Sequence, residues 1–256
     1  MGIEVFKKHL REKRAITISL GNDVNVQDAQ KICKALQEAK VSAIDIPYSK
    51  EIYEVARKHT KLPLVVSTFH PFEVLNAVKM GVDGVHIGNF SQLYRNGKKF
   101  SAEEIHDIVL ETLSLINKYN VFVSVTIPAT LEYEEKLELL NKLTLLGVDL
   151  VQSEGYKYSD KKQGLIIEDS ELSISNMIDL TKHTKIDFAV SCINPVEIAY
   201  VLENGARGVT IDGTIYKNMN EVDIKMNAID MVSRIAYKNS LNREIVRTKV
   251  ELKAIN

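Results

Sequence analysis

Two rhythms of apolar residues alternate from one end of the chain to the other. Short runs rich in Val and Ile, with hydrophobic residues at every second position, read as strands. They predict strands at Ala15–Leu20, Ser42–Ile46, Leu64–Phe69, Gly84–Ile87, Val121–Ile127, Asp149–Gln152, Asp187–Cys192 and Gly208–Ile211. Between them the apolar positions fall three and four apart, the spacing that gives a helix one buried face. Helices are predicted at Val26–Ala39, Lys50–His59, Pro71–Met80, Ala102–Tyr119, Leu131–Leu146, Glu171–His183, Pro195–Glu203 and Glu221–Lys238. A further helix over Ile3–Glu12 precedes the first strand and is expected to plug the bottom of a barrel.

Local chemistry agrees with these boundaries. Ser101 and Glu104 have the spacing of a capping box, in which each side chain satisfies the other's free backbone donor. Pro71 and Pro195 stand at first helical turns, where a missing N–H costs nothing. Gly81, Gly147 and Gly205 follow helices, where a left-handed C-cap favours glycine. Strand–helix alternation implies a parallel sheet with right-handed crossovers. Eight such units in 256 residues predict an α/β fold, a single (β/α)8 TIM barrel. An N-terminal helix would fall within residues 1–14 and a charged C-terminal tail at 240–256. A doubly wound open sheet would carry a glycine-rich nucleotide loop after its first strand. Ser19-Leu20-Gly21-Asn22-Asp23 lacks that fingerprint.

Alternate side chains of a strand face opposite ways. One parity is apolar and suits contact with helices: Ile16 and Ile18, Ile44 and Ile46, Val85 and Ile87, Val123 and Val125. The other is polar and would face the barrel interior or its rim, where branched apolar residues are usual. It comprises Thr17 and Ser19, Asp45, Ser67, His86, Ser124 and Thr126, Gln152 and Glu154, Ser191 and Asp212. Each buried polar group without a partner costs about 1–3 kcal/mol. The pattern therefore fits a wet pocket at the C-terminal mouth, or else a self-satisfied Ser/Thr network. Asp45, Glu154 and Thr126 are the candidates for proton transfer, and such carboxylates could also ligate a divalent metal. Ser19, Ser67, His86, Asn89, Gln152, Ser191, Gly213 and Thr214 are the candidates for holding a ligand. No predicted strand carries a lysine, which disfavours Schiff-base chemistry, and no sequence pattern assigns a cofactor or metal.

Barrels often hold a phosphate on the loops after strands seven and eight. Here Ala189 to Pro195 and Gly208 to Thr214 are similar to that pattern, but Cys192 and Asp212 replace two glycines. A carboxylate about 4 Å from a phosphate oxygen costs on the order of 4 kcal/mol at an effective dielectric of 20. Asn194 is also placed to cap the next helix.

A net charge of −1 gives no basic surface to recommend nucleic acid. The longest apolar runs are strand-sized, so no membrane span is expected. Met1 to Arg14 has neither an apolar signal core nor the acid-free composition of a transit leader. Cys33 and Cys192 form no disulfide or metal pattern, which suits a reducing compartment.

One stretch is more specific. Ile87-Gly88-Asn89-Phe90 leads to Tyr94, Gly97, Phe100-Ser101 and Glu104-Ile105, then to Ser124-Val125-Thr126-Ile127-Pro128 and Gly147 to Gly155. This resembles the barrel family of red-algal plastids and cyanobacteria known as hypothetical chloroplast reading frame twenty-three. The similarity runs over nearly the whole chain and implies a plastid-encoded stromal protein, without supplying a function. Asp45, Ser67, Thr126, Glu154 and Ser191 match its pattern; His70, His86, Cys192 and Asp212 depart from it.

Two long loops, Asn89 to Lys99 and Gly155 to Asp169, are candidate lids over the mouth. The expected function is binding of a small metabolite, phosphorylated or not, with isomerase- or lyase-type proton transfer. The alternative is a non-catalytic sensor or assembly barrel acting through a protein partner, and a homo-oligomer is compatible with either.

Overall fold

The computed structural model describes residues 2–94, 97–154, 156–160, 165–168, 170–192 and 197–235. Its strands are β1 (Ala15–Ser19), β2 (Ala43–Pro47), β3 (Leu64–Ser67), β4 (Gly84–Ile87), β5 (Phe122–Ile127), β6 (Leu150–Ser153), β7 (Tyr156–Asp160), β8 (Leu165–Glu168), β9 (Phe188–Cys192) and β10 (Gly208–Asp212). β1 to β6, β9 and β10 are all parallel and close into a barrel, with β10 pairing back onto β1. The helices are α1 (Gly2–Arg11), α2 (Val26–Ala39), α3 (Lys50–His59), α4 (Pro71–Met80), α5 (Ser91–Tyr94), α6 (Ala102–Ile116), α7 (Tyr133–Leu146), α8 (Ser170–Thr181) and α9 (Ile198–Glu203). A last helix spans 221–235. The predicted barrel is the observed one.

Differences are local. β7 and β8 form an antiparallel hairpin, a two-stranded sheet separate from the barrel, where the sequence predicts a polar loop. α7 begins at Tyr133 rather than Leu131, because the Glu135 carboxylate accepts the Glu132 N–H at 2.9 Å and fixes the first turn there. α6 stops at Ile116, short of Tyr119. Pro195, Asn194 and the 240–256 tail lie outside the described residues. The Ser101–Glu104 capping box is formed, Pro71 opens α4, and Gly81 and Gly147 are left-handed C-caps with φ of 94° and 77°. Asp83 and Asp149, in the Gly-Val-Asp phrases before β4 and β6, accept the backbone N–H of Leu64 and Val123 on neighbouring strands, each at 2.9 Å.

The strand parity separates two cores. Ile16, Ile18, Ile44, Ile46, Val85, Ile87, Val123 and Val125 pack outward into the main core beneath the helices. Inside the barrel, the residues nearest the N-terminal end form a small apolar cluster: Ala15, Ala43, Val65, Phe122, Leu150 and Ala189, with Phe6 and Leu10 of α1. The Phe6 ring meets Phe122 edge-on at 5.2 Å. His9 Nδ1 lies 2.8 Å from Ser42 Oγ, which also accepts the Ile16 N–H. α1 thus closes the bottom, as its sequence position predicts, and leaves the C-terminal end open.

Phe6→Ala is expected to lower unfolding stability by about 3 kcal/mol through the cavity it creates. Urea denaturation measures it; a midpoint unchanged from the parent would show that α1 does not close the barrel.

Candidate functional site

The next inward residue on each barrel strand is polar: Thr17, Asp45, Ser67, His86, Ser124, Gln152, Ser191 and Thr210. Above them a cavity of about 370 Å3 opens to solvent at the C-terminal mouth. All three candidate proton-transfer residues, Asp45, Thr126 and Glu154, line it. So do Ser19, Ser67, His86, Asn89, Gln152, Ser191 and Thr214. Gly213 does not. It lies in a separate recess beside the β1–α2 loop, where a Cβ would come within 2.5 Å of the Ser19 carbonyl oxygen. Its glycine serves close packing of β10's end against β1. Asn22, Asp23 and Thr210 also line the cavity and were not among the candidates. Thr210 had a usable signal, since it shares parity with Asp212.

Asp45 sits at the cavity floor, 8% exposed. Ser19 Oγ donates to its Oδ2 at 2.7 Å, and Ser67 Oγ donates to its Oδ1. Burial pushes its carboxyl up from the usual 3.8 to about 6, against the opposing pull of the Ser67 and Ser19 hydroxyls. His86 is equally buried, with Nδ1 2.8 Å from Ser124 Oγ and Nε2 2.8 Å from Thr126 Oγ1. Ser124 donates its own hydrogen to the Val85 carbonyl at 3.3 Å. That makes Ser124 the acceptor of an Nδ1–H and makes Nε2 the acceptor of the Thr126 hydroxyl. Burial pushes His86 down to about 4, so the ring is neutral near pH 7. Gly88 is required by this pairing: a Cβ there would lie 2.5 Å from Thr126 Oγ1 and 2.6 Å from His86 Nε2.

Glu154, just past β6, is also buried. Its Oε2 accepts the Tyr94 hydroxyl at 2.6 Å and the Ala129 N–H at 3.3 Å. The Asn89 to Lys99 segment is therefore not a free lid. Phe90 and Tyr94 are buried, and the Phe90 ring lies tilted 4.9 Å from Phe100 and 6.1 Å from Phe69. Asn89 turns the chain with a left-handed φ of 65°. Lys136 on α7 was missed. It is buried, bonds Asn176 Oδ1 at 3.3 Å, and its pKa is lowered by desolvation against the opposing attraction of Glu132, Glu135 and Glu154. The signal was its place three, four and seven residues before Leu139, Leu140 and Leu143, on the buried helix face.

At the β10 end, Asp212 Oδ1 accepts the Thr214 N–H at 2.9 Å and caps a short 3-10 turn, Gly213–Tyr216. The glycine replaced by Asp212 has thus become a carboxylate that occupies a backbone donor. The other half of the expected phosphate cradle, 193–196, lies outside the described residues. Among the described residues, the group of His, Cys, Asp and Glu close enough to share an ion is Glu103, His106 and Asp107, on α6 and away from the cavity.

A family model described as "Protein of unknown function (DUF561)" matches residues 4–242. The chain belongs to this family. Relatives named "Uncharacterized protein ycf23" include one from Antithamnion sp., 30% identical over 89% of this chain and 86% of its own length. Another, from Cyanophora paradoxa, is 30% identical over 91% and 97%. Their shared name is that of a plastid reading frame, and a plastid location follows. Among solved structures, a thiamine phosphate pyrophosphorylase from Pyrococcus furiosus superposes with a TM-score of 0.51 at 16% identity, over 88% of this chain and 98% of that one. A mutant tryptophan synthase alpha-subunit from the same organism gives 0.54 at 14%, over 85% and 96%. At these identities the likeness establishes the barrel fold. No helix among the described residues is long and apolar enough to cross a membrane.

Within this family member, Asp45 and His86 shift in opposite senses. The folded chain holds the Asp45 proton more tightly than the unfolded chain does, a contribution present below pH 3.8 and lost as pH rises through about 6. For His86 the unfolded chain binds the proton more tightly; that contribution is present above pH 6.5 and lost as pH falls through about 4. Each shift corresponds to about 3 kcal/mol at about 1.4 kcal/mol per pH unit, and the two oppose each other in one window. Asp45→Asn should therefore leave a protein that loses stability on acidification from pH 6.5 to 4. His86→Gln should leave one that loses stability as pH rises from 4 to 6. Urea denaturation across that range checks both; variants whose profiles run parallel to the parent would refute the opposed shifts.

Proposed function

We propose that the protein binds a small polar metabolite at the C-terminal mouth of its barrel and moves a proton on it, an isomerase- or lyase-type step. The observation that carries this reading is Asp45: a buried carboxyl at the floor of a solvent-open cavity, with its pKa raised to about 6. A proton carrier works best when its pKa lies near the working pH, and shifts of this size cluster at functional sites. Asp45 takes the proton and returns it. Glu154, held by Tyr94 and Ala129, is the fixed carboxylate that orients the ligand, and Thr126, tied to His86, places an oxygen beside it. Barrel enzymes work at this face.

A second reading, a non-catalytic binder or sensor, is favoured by one feature: the Ser/Thr network around Asp45 and His86 is largely satisfied within the protein.

The test is isotopic. Purified protein is incubated in D2O with the small-molecule fraction of a plastid extract, and metabolites are screened by mass spectrometry. A compound that gains deuterium with the parent and not with Asp45→Asn supports proton transfer. Equal labelling by both proteins, or none by either, leaves the binder reading in its place.

A further inference from the structure

Four of the hydroxyl hydrogens around the cavity are directed at protein acceptors. Ser19 and Ser67 donate to the two oxygens of Asp45, Thr126 donates to His86, and Thr210 donates to Gln152 Oε1 at 2.6 Å. A hydroxyl has one hydrogen and two lone pairs, so each of these groups offers only lone pairs to an incoming molecule. The Thr214 N–H, a donor that an anion would use, is held by Asp212. Asp23, Asp45, Glu154 and Asp212 add carboxylate acceptors, and among the described lining residues there is no Lys or Arg. His86 is neutral and contributes no positive charge. Donors remain in the amides of Asn22, Asn89 and Gln152, but the charged groups among the described lining residues are all carboxylates, unlike a phosphate site.

The cavity is also larger than a metal ion needs. At about 370 Å3 it is sized for a small organic molecule.

We propose that the ligand of this cavity is a small hydroxylated amine, its ammonium group facing the carboxylates of Asp45, Glu154 and Asp212, and that phosphate esters are excluded. This rests on the reading of the cavity as the ligand site. The ammonium brings donors to the lining carboxylates, and hydroxyls on the same molecule donate to the Ser19, Ser67 and Thr126 oxygens. A phosphate would meet carboxylates with no Lys or Arg among the described lining residues and with the Thr214 donor already taken.

Three matched probes test it with the full chain at pH 7 by calorimetry: glucosamine, glucose and glucose 6-phosphate. They share a ring and differ in charge. Glucosamine is expected to bind about tenfold tighter than glucose or more, with glucose 6-phosphate no tighter than glucose. Glu154→Gln should remove most of the glucosamine advantage. Asp23→Asn, on an exposed loop where misfolding is not a concern, should reduce it in part. Tighter binding of glucose 6-phosphate, equal binding of all three, or no binding by any of them overturns the proposal. The outcome is separable from the isotopic test. Preference for glucosamine without deuterium uptake supports the amine ligand and removes the proton chemistry. An exchanging metabolite that proves to be an anion keeps the proton chemistry and overturns the amine ligand.

Discussion

Inside a closed barrel, inward side chains can meet only one another, the plug at the bottom, or whatever enters at the top. The period of two along each strand decides which residues those are. Here it places an apolar residue at the N-terminal end of most strands and a polar one next above it on every barrel strand. The polar ring is the feature on which the rest of the molecule depends. Each of its members must find a partner or water, because a bare buried dipole costs more than a single hydrogen bond returns. Asp45 with Ser19 and Ser67, His86 with Ser124 and Thr126, and Thr210 with Gln152 are the solutions found.

Those solutions give the mouth its character. Hydroxyls that point their hydrogens at Asp45 and His86 leave oxygen lone pairs facing the cavity, and burial perturbs the two titrating groups in opposite senses. A carboxyl that holds its proton to about pH 6 and an imidazole that stays neutral to about pH 4 are separated in the way that lets one site hold distinct acid–base roles. Under the proposed proton transfer, stability and chemistry are linked at the same atoms. Asp45 costs the folded state some stability when ionised, and a site of this kind is where such a cost is found.

The surroundings hold the ring in place. Tyr94 and Phe90 anchor the segment after β4 into the core and bring a phenol to Glu154, so the loop that length suggests is a lid acts as a brace. Gly88 leaves the space in which His86 reaches Thr126. At the far side, Asp212 caps the turn that follows β10 and converts a glycine position of the phosphate-barrel pattern into an acceptor.

Strand period, helix period and turn chemistry were enough to read the barrel, its eight strands, the plug helix and the inward parity from the sequence, because these depend on spacing along the chain. The same parity argument picked Asp45, Thr126 and Glu154, and the strand spacing brings them to one mouth. Other features depend on distances between segments far apart in sequence, and only the tertiary structure decided them. Lys136 looks like a surface lysine until α7 turns its face inward, and Tyr94 looks like a lid residue until its hydroxyl meets Glu154 across 60 positions. Gly213 lies close against the Ser19 carbonyl, a contact that its place in the sequence does not show. The direction of each hydroxyl hydrogen follows from which acceptor lies within reach, and local sequence carries no record of that.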